Sequence, residues 1–246
     1  MNLPEPYWRD DLITLYCGDA LRLLPQLSAD CIITDPPYGE TSLEWDRWQG
    51  GWPTIACAAA KQMWCFGSFR MFLNNAQAFD LWHVAQDLIW EKHNGSSLHN
   101  DRFRRVHEIA VHFYRGEWAE IYKRPVMTND ATARTIRRKR QPQHWAAIRE
   151  GQYRSEDGGP RLMGSVIYAR SCHGDAVHPT QKPEAIIAPL MEYSVRPNGV
   201  VLDCFAGSGT VLALARKTGR RAIGIEARED YCRVIVDRLA QKELAV

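Results

Sequence analysis

Two short segments hold the residue types that could do chemistry. The first, Thr34-Asp35-Pro36-Pro37-Tyr38, closes the apolar run Cys31–Thr34 and puts a carboxylate, a proline carbonyl and an aromatic ring within four residues. Asp35 and the Pro36 carbonyl are hydrogen-bond acceptors and Tyr38 is a stacking surface, a trio suited to a planar group bearing an amino nitrogen. Two consecutive prolines cannot continue a central strand, so the chain must leave the sheet at Pro36-Pro37. A rigid turn with a packing tyrosine is the plainer reading of the same residues. The second segment, Asp203-Cys204-Phe205-Ala206-Gly207-Ser208-Gly209-Thr210, follows an apolar run and opens a helical pattern. Glycines there let backbone approach a ligand, and a helix N-terminus offers unpaired N–H groups. Glu226 ends the next apolar run, about 20 residues after the first of these glycines, where an acid bonds ribose hydroxyls in nucleotide-binding folds. The pattern is not a dinucleotide fingerprint, because Leu212 stands where a third glycine belongs, nor a P-loop, because no Lys follows the glycines.

The elements that must position these residues alternate along the chain. Strands are expected at Leu12–Cys17, Cys31–Thr34, Met63–Phe66, Leu88–Trp90, His107–Tyr114, Val200–Leu202 and Arg221–Glu226. Helices are expected at Ala20–Leu27, Ile55–Gln62, Pro183–Val195, Val211–Lys217 and Asp230–Gln241. Such alternation predicts an α/β fold with a largely parallel sheet covered by helices on both faces. Between Arg115 and Asp175 the periodicity fades into Gly, Pro, Gln and Arg, a stretch too long for an ordinary connection.

The 246 residues are 45% hydrophobic and 24% charged, which excludes collagen-like, disordered and disulfide-scaffold classes. No run of about 18 apolar residues is present to span a membrane, and the N-terminus lacks a signal-peptide pattern. Seven scattered cysteines suit a reducing compartment, so a cytoplasmic protein is expected. Lys and Arg total 31 against 29 Asp and Glu, but the charge is uneven: Glu120–Asp175 holds 11 basic and 6 acidic residues. That local excess suits either a polyanion contact or a solvated loop. The pair His107 and His112 lies five residues apart, which points the rings away from each other on a helix, so no metal site is expected.

The turns at Asp35–Tyr38 and Asp203–Thr210 resemble the two signature motifs of S-adenosylmethionine-dependent DNA amino-methyltransferases. Their order, catalytic motif first and cofactor motif last, is similar to the permuted β class of that family. Trp45-Asp46, Phe66-Gly67-Ser68, Arg102-Phe103, His107-Glu108 and His178-Pro179-Thr180-Gln181-Lys182-Pro183 match further pieces in the same order. The resemblance implies a Rossmann-like methyltransferase sheet, circularly permuted, with an inserted target-recognition region. Residues 1–116 would form the catalytic half, 117–177 the insertion and 178–246 the cofactor-binding half.

By the same resemblance, Asp35 and the Pro36 carbonyl accept hydrogen bonds from an exocyclic amine, Pro37 keeps the turn rigid and Tyr38 stacks on a flipped base. S-adenosylmethionine is the implied cofactor. Asp203, Phe205, Gly207, Gly209 and Thr210 would wrap its methionine part, Glu226 its ribose, and Thr180 and Lys182 its carboxylate. Asp19 with Ala20 would meet the adenine, although Asp19 equally suits a cap on the helix at Ala20. Arg137, Arg138, Lys139 and Arg140, flanked by Arg134, are the candidates for phosphate contact with double-stranded DNA. Trp45 and Trp48 are candidates for lining the pocket. Asp at the first motif position favours adenine N6, with cytosine N4 as the rival product and a non-catalytic DNA-binding relic as the reading from another class. A nicotinamide oxidoreductase would share the sheet and leave Asp35–Tyr38 unexplained. A prokaryotic or phage cytoplasm is the implied setting; a homodimer and a partner restriction endonuclease are compatible with the sequence, which locates neither.

Overall fold

The computed structural model describes residues 3–96, 101–138, 151–172 and 181–241. The chain divides into two compact units, one of 1–124 with 165–246 and one of 125–164.

The larger unit is built on a nine-stranded sheet. In chain order its strands are β1 (Trp8–Arg9), β2 (Ile13–Cys17), β3 (Cys31–Thr34), β4 (Gln62–Gly67), β5 (His83–Ser96) and β6 (Arg105–Tyr114). The smaller unit contributes none of them; it holds β7 (Met127–Thr128), β8 (Arg134–Arg138), β9 (Gly151–Ser155) and β10 (Arg161–Leu162). The sheet is completed by β11 (Val166–Ala169), β12 (Val200–Asp203) and β13 (Arg221–Glu226), in the order β1-β2-β13-β12-β3-β4-β6-β5-β11. The run from β2 to β4 is parallel, and β6 lies antiparallel between β4 and β5. The N-terminal β2 pairs with the C-terminal β13, Glu226 opposite Cys17, so the sheet continues across the chain ends as a permuted order requires. In the smaller unit β7 pairs with β10 and β8 with β9, both antiparallel.

Neighbouring residues of one strand feed opposite faces because side chains alternate. The helices are α1 (Ala20–Leu23), α2 (Trp52–Ala56), α3 (Phe69–Asn74), α4 (Glu184–Ser194), α5 (Thr210–Lys217) and α6 (Glu229–Gln241). Ile33, Trp64 and Phe66 join a core with the last three, while Ile32, Met63, Cys65 and Leu202 join a second core around Leu24 and Trp52. Both faces are therefore covered, and β3 and β4 are buried at every position, as central parallel strands should be.

The smaller helices depart from the sequence expectation. The helix expected at Ile55–Gln62 forms at Trp52–Ala56, because Gly51 at φ +84° and Pro53 start it early and Gln62 is taken into β4. The helix Phe69–Asn74, which apolar spacing did not mark, starts where Ser68 Oγ accepts from the Met71 N–H. Strand β5 runs far beyond Leu88–Trp90, because pairing with β6 and β11 carries it through polar residues. Among the described residues, no helix is long and apolar enough to cross a membrane.

Candidate active site

Strands β3, β12 and β13 run parallel, so Thr34, Asp203 and Glu226 end on the same edge. A cavity of about 370 Å³ opens there, within the size range of small-ligand sites. Asp35 and Pro37 line it together with Asp203, Phe205, Gly207, Thr210 and Glu226, so the two segments singled out in the sequence meet in one pocket. The link is direct: Thr34 Oγ1 donates to Asp203 Oδ1 at 2.8 Å across 169 residues of chain.

The glycine turn is shaped by its backbone. Gly207 and Gly209 adopt φ +50° and +70°, in the left-handed region. A Cβ on Gly209 would also stand 3.0 Å from the Ile235 side chain, so the turn and the packing of α6 both require glycine. Glu226 closes the far wall, its two oxygens accepting from the N–H groups of Gly207 and Arg228, each at 2.9 Å. Burial pushes the Glu226 carboxyl above its usual range. Burial pushes Asp203 further, to about 7, against the opposing bonds from Thr34 and the Phe205 N–H.

Asp35 is bonded on both carboxylate oxygens. Its Oδ1 accepts from the Tyr38 hydroxyl and its Oδ2 from Lys182 Nζ. Burial raises its carboxyl above the usual range, and the Lys182 ammonium works against that rise. Lys182 lines the same cavity, with Nζ also 3.3 Å from Glu108 Oε2.

The remaining wall comes from Glu44, Trp45, Arg47, Trp48 and Gln49, so both tryptophans considered in the sequence do line the pocket. Asp46 organises that loop by accepting from the N–H groups of Gly39, Glu40 and Thr41 at 2.7–3.1 Å. Burial opposes ionisation of Asp46, and these bonds overcome it and hold the carboxyl below its usual range. Asp46→Ala strands three amides beside the active-site turn. It should cost about 1–3 kcal/mol of stability, read as a lower urea midpoint at unchanged m-value.

Other expected site residues fall elsewhere. Asp19 is the N-cap of the helix Ala20–Leu23, accepting from the Leu21 N–H at 2.9 Å, and neither it nor the buried Ala20 is in the cavity lining. Pro36 is buried, and it, Tyr38 and Gly209 are also absent from the cavity lining. Arg134 is exposed on β8, whose last residues are Arg137 and Arg138; Thr180, Lys139 and Arg140 lie outside the described residues. Sequence reasoning gave no role to Arg228 and Tyr231, which line the pocket just beyond Glu226. Their signal was only their place, immediately after a strand-end acid.

The donors present suit S-adenosylmethionine. Asp203 and Glu226 offer carboxylates to an ammonium and a diol, Arg228 offers a cation to a carboxylate, and Phe205, Trp45, Trp48 and Tyr231 offer rings to a heterocycle, while Lys182 is already held by Asp35 and Glu108.

The family model described as DNA methylase, covering N6 and N4 methyltransferases, matches residues 29–237. The chain is 28% identical to the Type II methyltransferase M.HinfI of Haemophilus influenzae over 261 residues, covering 92% of this chain and 67% of that one. It is 27% identical to the Type II methyltransferase M.ScaI of Streptomyces caespitosus over 266 residues, covering 96% and 84%. Among solved structures, the M1.HpyAVI–SAM complex superposes with a TM-score of 0.63 at 22% identity, covering 93% of this chain and 100% of that one. The cytosine-N4-specific PvuII DNA methyltransferase superposes with a TM-score of 0.62 at 13% identity, covering 95% and 88%. These two structural likenesses establish the Rossmann-like fold, and the match over residues 29–237 shows that the chain belongs to the N6/N4 DNA methylase family.

Proposed function

We propose that this protein transfers the methyl group of S-adenosylmethionine to the exocyclic amine of a base in double-stranded DNA, with adenine N6 as the target. One observation carries the reading: the carboxylate of Asp35 opens into the same cavity as Asp203 and Glu226. When bound, S-adenosylmethionine would supply a methyl carbon made electrophilic by its sulfonium: its carbon–sulfur bond breaks as the carbon–nitrogen bond forms, the thioether S-adenosylhomocysteine leaves, and the methylated amine releases one proton to solvent. Asp35 and the Pro36 carbonyl accept the two N–H groups of the amine, which favours a nitrogen whose lone pair is directed out of the ring. Tyr38, tied to Asp35 by its hydroxyl, is the ring that stacks on the base in this reading. The amine is unreachable inside a duplex, so the base is flipped at a cost of about a few kcal/mol. Asp203 accepts from the methionine ammonium and Glu226 from the ribose hydroxyls. The protein thus acts by positioning and fixed charge, and no cysteine nucleophile is needed.

The test is incubation with labelled S-adenosylmethionine and mixed genomic DNA, then digestion and mass identification of the methylated nucleoside. N6-methyladenine supports the reading. N4-methylcytosine, the outcome suggested by the similarity to the PvuII enzyme, keeps the mechanism and overturns the base. No labelled nucleoside overturns both.

The basic segment is the proposed DNA contact. Strands β8 and β9 form a two-stranded ribbon, with Arg137 opposite Gln152 and Arg138 opposite Gly151. A ribbon of this kind fits a major groove. Replacing residues 137–140 with Ala should reduce the slope of log K against log[salt] by up to about 3–4. The slope is measured by fluorescence anisotropy across a salt series, and an unchanged value would move the DNA face elsewhere.

A further inference from the structure

Behind Asp35, charged side chains form one connected row. Lys182 Nζ bonds Asp35 Oδ2 and approaches Glu108 Oε2 at 3.3 Å, and Lys92 Nζ bonds Glu108 Oε1. Asp35 follows β3, Glu108 is on β6, Lys92 on β5, and Lys182 precedes α4, so four parts of the fold converge. The row passes through the interior: side-chain exposure falls from 24% at Lys92 to 16% at Glu108 and 7% at Lys182, then rises to 22% at Asp35, which lines the cavity. Lys182 also lies over the Phe66 ring, 5.4 Å from its centre.

Two anions and two cations balance, but their order matters. A lysine paired with Asp35 alone would direct its whole charge at the carboxylate that must accept an amine. A second carboxylate across the ammonium draws part of that charge away and fixes the nitrogen between two anchors. Lys92 then neutralises the outer carboxylate. Buried ion pairs return little net stability for their desolvation, so stability alone is a weak account of the row.

We propose that Glu108 is a positioning residue for methyl transfer: by sharing the Lys182 ammonium with Asp35, it orients the Asp35 carboxylate and keeps it an effective acceptor. This rests on the catalytic role given to Asp35 above. Burial works against ionisation of Glu108, and Lys182 and Lys92 overcome it and hold its carboxyl at about 2. Glu108 is therefore a fixed anion at working pH and not a proton carrier. The groups facing Asp35 are Lys182 and Tyr38 by direct bonds, Glu108 beyond Lys182, Cys65 from β4 and Asp203 from β12. Removing Glu108 takes an anion from this set and removing Lys182 takes the cation.

The experiment compares wild type, Glu108→Gln and Lys182→Met in single-turnover methylation from pH 5 to 9, with cofactor affinity by calorimetry and melting temperature alongside. Glu108→Gln should lower the transfer rate by about tenfold or more, leave the S-adenosylmethionine Kd within about twofold, and move the acidic limb of the rate to lower pH. Lys182→Met should move that limb the other way, each shift being about one pH unit. A rate loss in Glu108→Gln with an unmoved limb, or shifts in the same direction, would make the row structural and overturn the proposal. Should Glu108→Gln not fold, Lys92→Met tests the same anion from its outer side; it should raise the limb, and no movement would overturn the proposal. Failure of the underlying reading would look different, as turnover retained when Asp35 itself is replaced.

Discussion

Asp35→Asn should lower kcat for methyl transfer by at least about 10²-fold while leaving the Kd for S-adenosylmethionine within about twofold. The amide keeps the size of the side chain and one acceptor oxygen, but it replaces the other oxygen with a donor. In the wild type, Oδ1 and Oδ2 already receive Tyr38 and Lys182, and each oxygen has a further lone pair for an incoming amine. Asn must turn its NH₂ towards the Tyr38 hydroxyl, the Lys182 ammonium or the target amine, and two of those three are obligate donors. The loss falls on the step in which the amine rehybridises, not on the cofactor pocket, whose Asp203 and Glu226 are untouched. Stability is the control: a buried cation loses half its counter-charge, yet Glu108 still holds Lys182. A melting temperature near wild type with kcat down only a few-fold would remove Asp35 from the chemistry.

The centre of the fold was readable in the sequence and its edges were not, for reasons visible in particular residues. Cys31–Thr34 and Arg221–Glu226 are short apolar runs ended by proline or helix-starting residues, and each forms a strand with the expected bounds. Cys31–Thr34 is buried throughout and Arg221–Glu226 at four of its six positions, so local pattern and tertiary demand agree. At β5 they disagree, since residues such as Gln86, Glu91 and Lys92 carry no strand signal and are held by pairing alone. The site divides in the same way. Asp35 and Asp203 announce themselves by their turns, and the pairing of β3 with β12 accounts for their meeting. The partner of Asp35 was hidden, because Lys182 reaches it across 147 residues. Resemblance alone had assigned Lys182 to the cofactor carboxylate. Glu108 was noticed as part of a motif without a role, and only the register of β6, with Glu108 opposite Trp90 of β5, brings its side chain to Lys182 and Lys92. A sequence shows which residues end a strand; it does not show which charge stands behind another.

Cofactor affinity should depend on pH through Asp203, tightening about tenfold per unit as pH rises towards 7 and levelling above it. The carboxyl is buried at 5% exposure and titrates near 7, so below that pH the free protein holds it neutral. An ammonium ligand requires the anion, and binding must then expel a proton. Stability of the unliganded protein runs the opposite way. Between about pH 4 and 7 the folded state binds a proton that the unfolded chain has released, so stability falls as pH rises through that window, by about 1.4 kcal/mol per unit. The summed cost, about 4 kcal/mol at most, is offset when an ammonium occupies the site. Asp203→Asn separates these effects. It should flatten the pH dependence of binding, weaken affinity at pH 7.5 by at least about tenfold, and raise the melting temperature of the unliganded protein there. Calorimetry from pH 5 to 7 keeps the ligand's own α-amino group, which titrates near pH 8, about nine-tenths protonated. A wild-type Kd that is flat across this window would mean that Asp203 does not meet the ammonium, leaving its carboxyl a structural acceptor for Thr34 and the Phe205 amide.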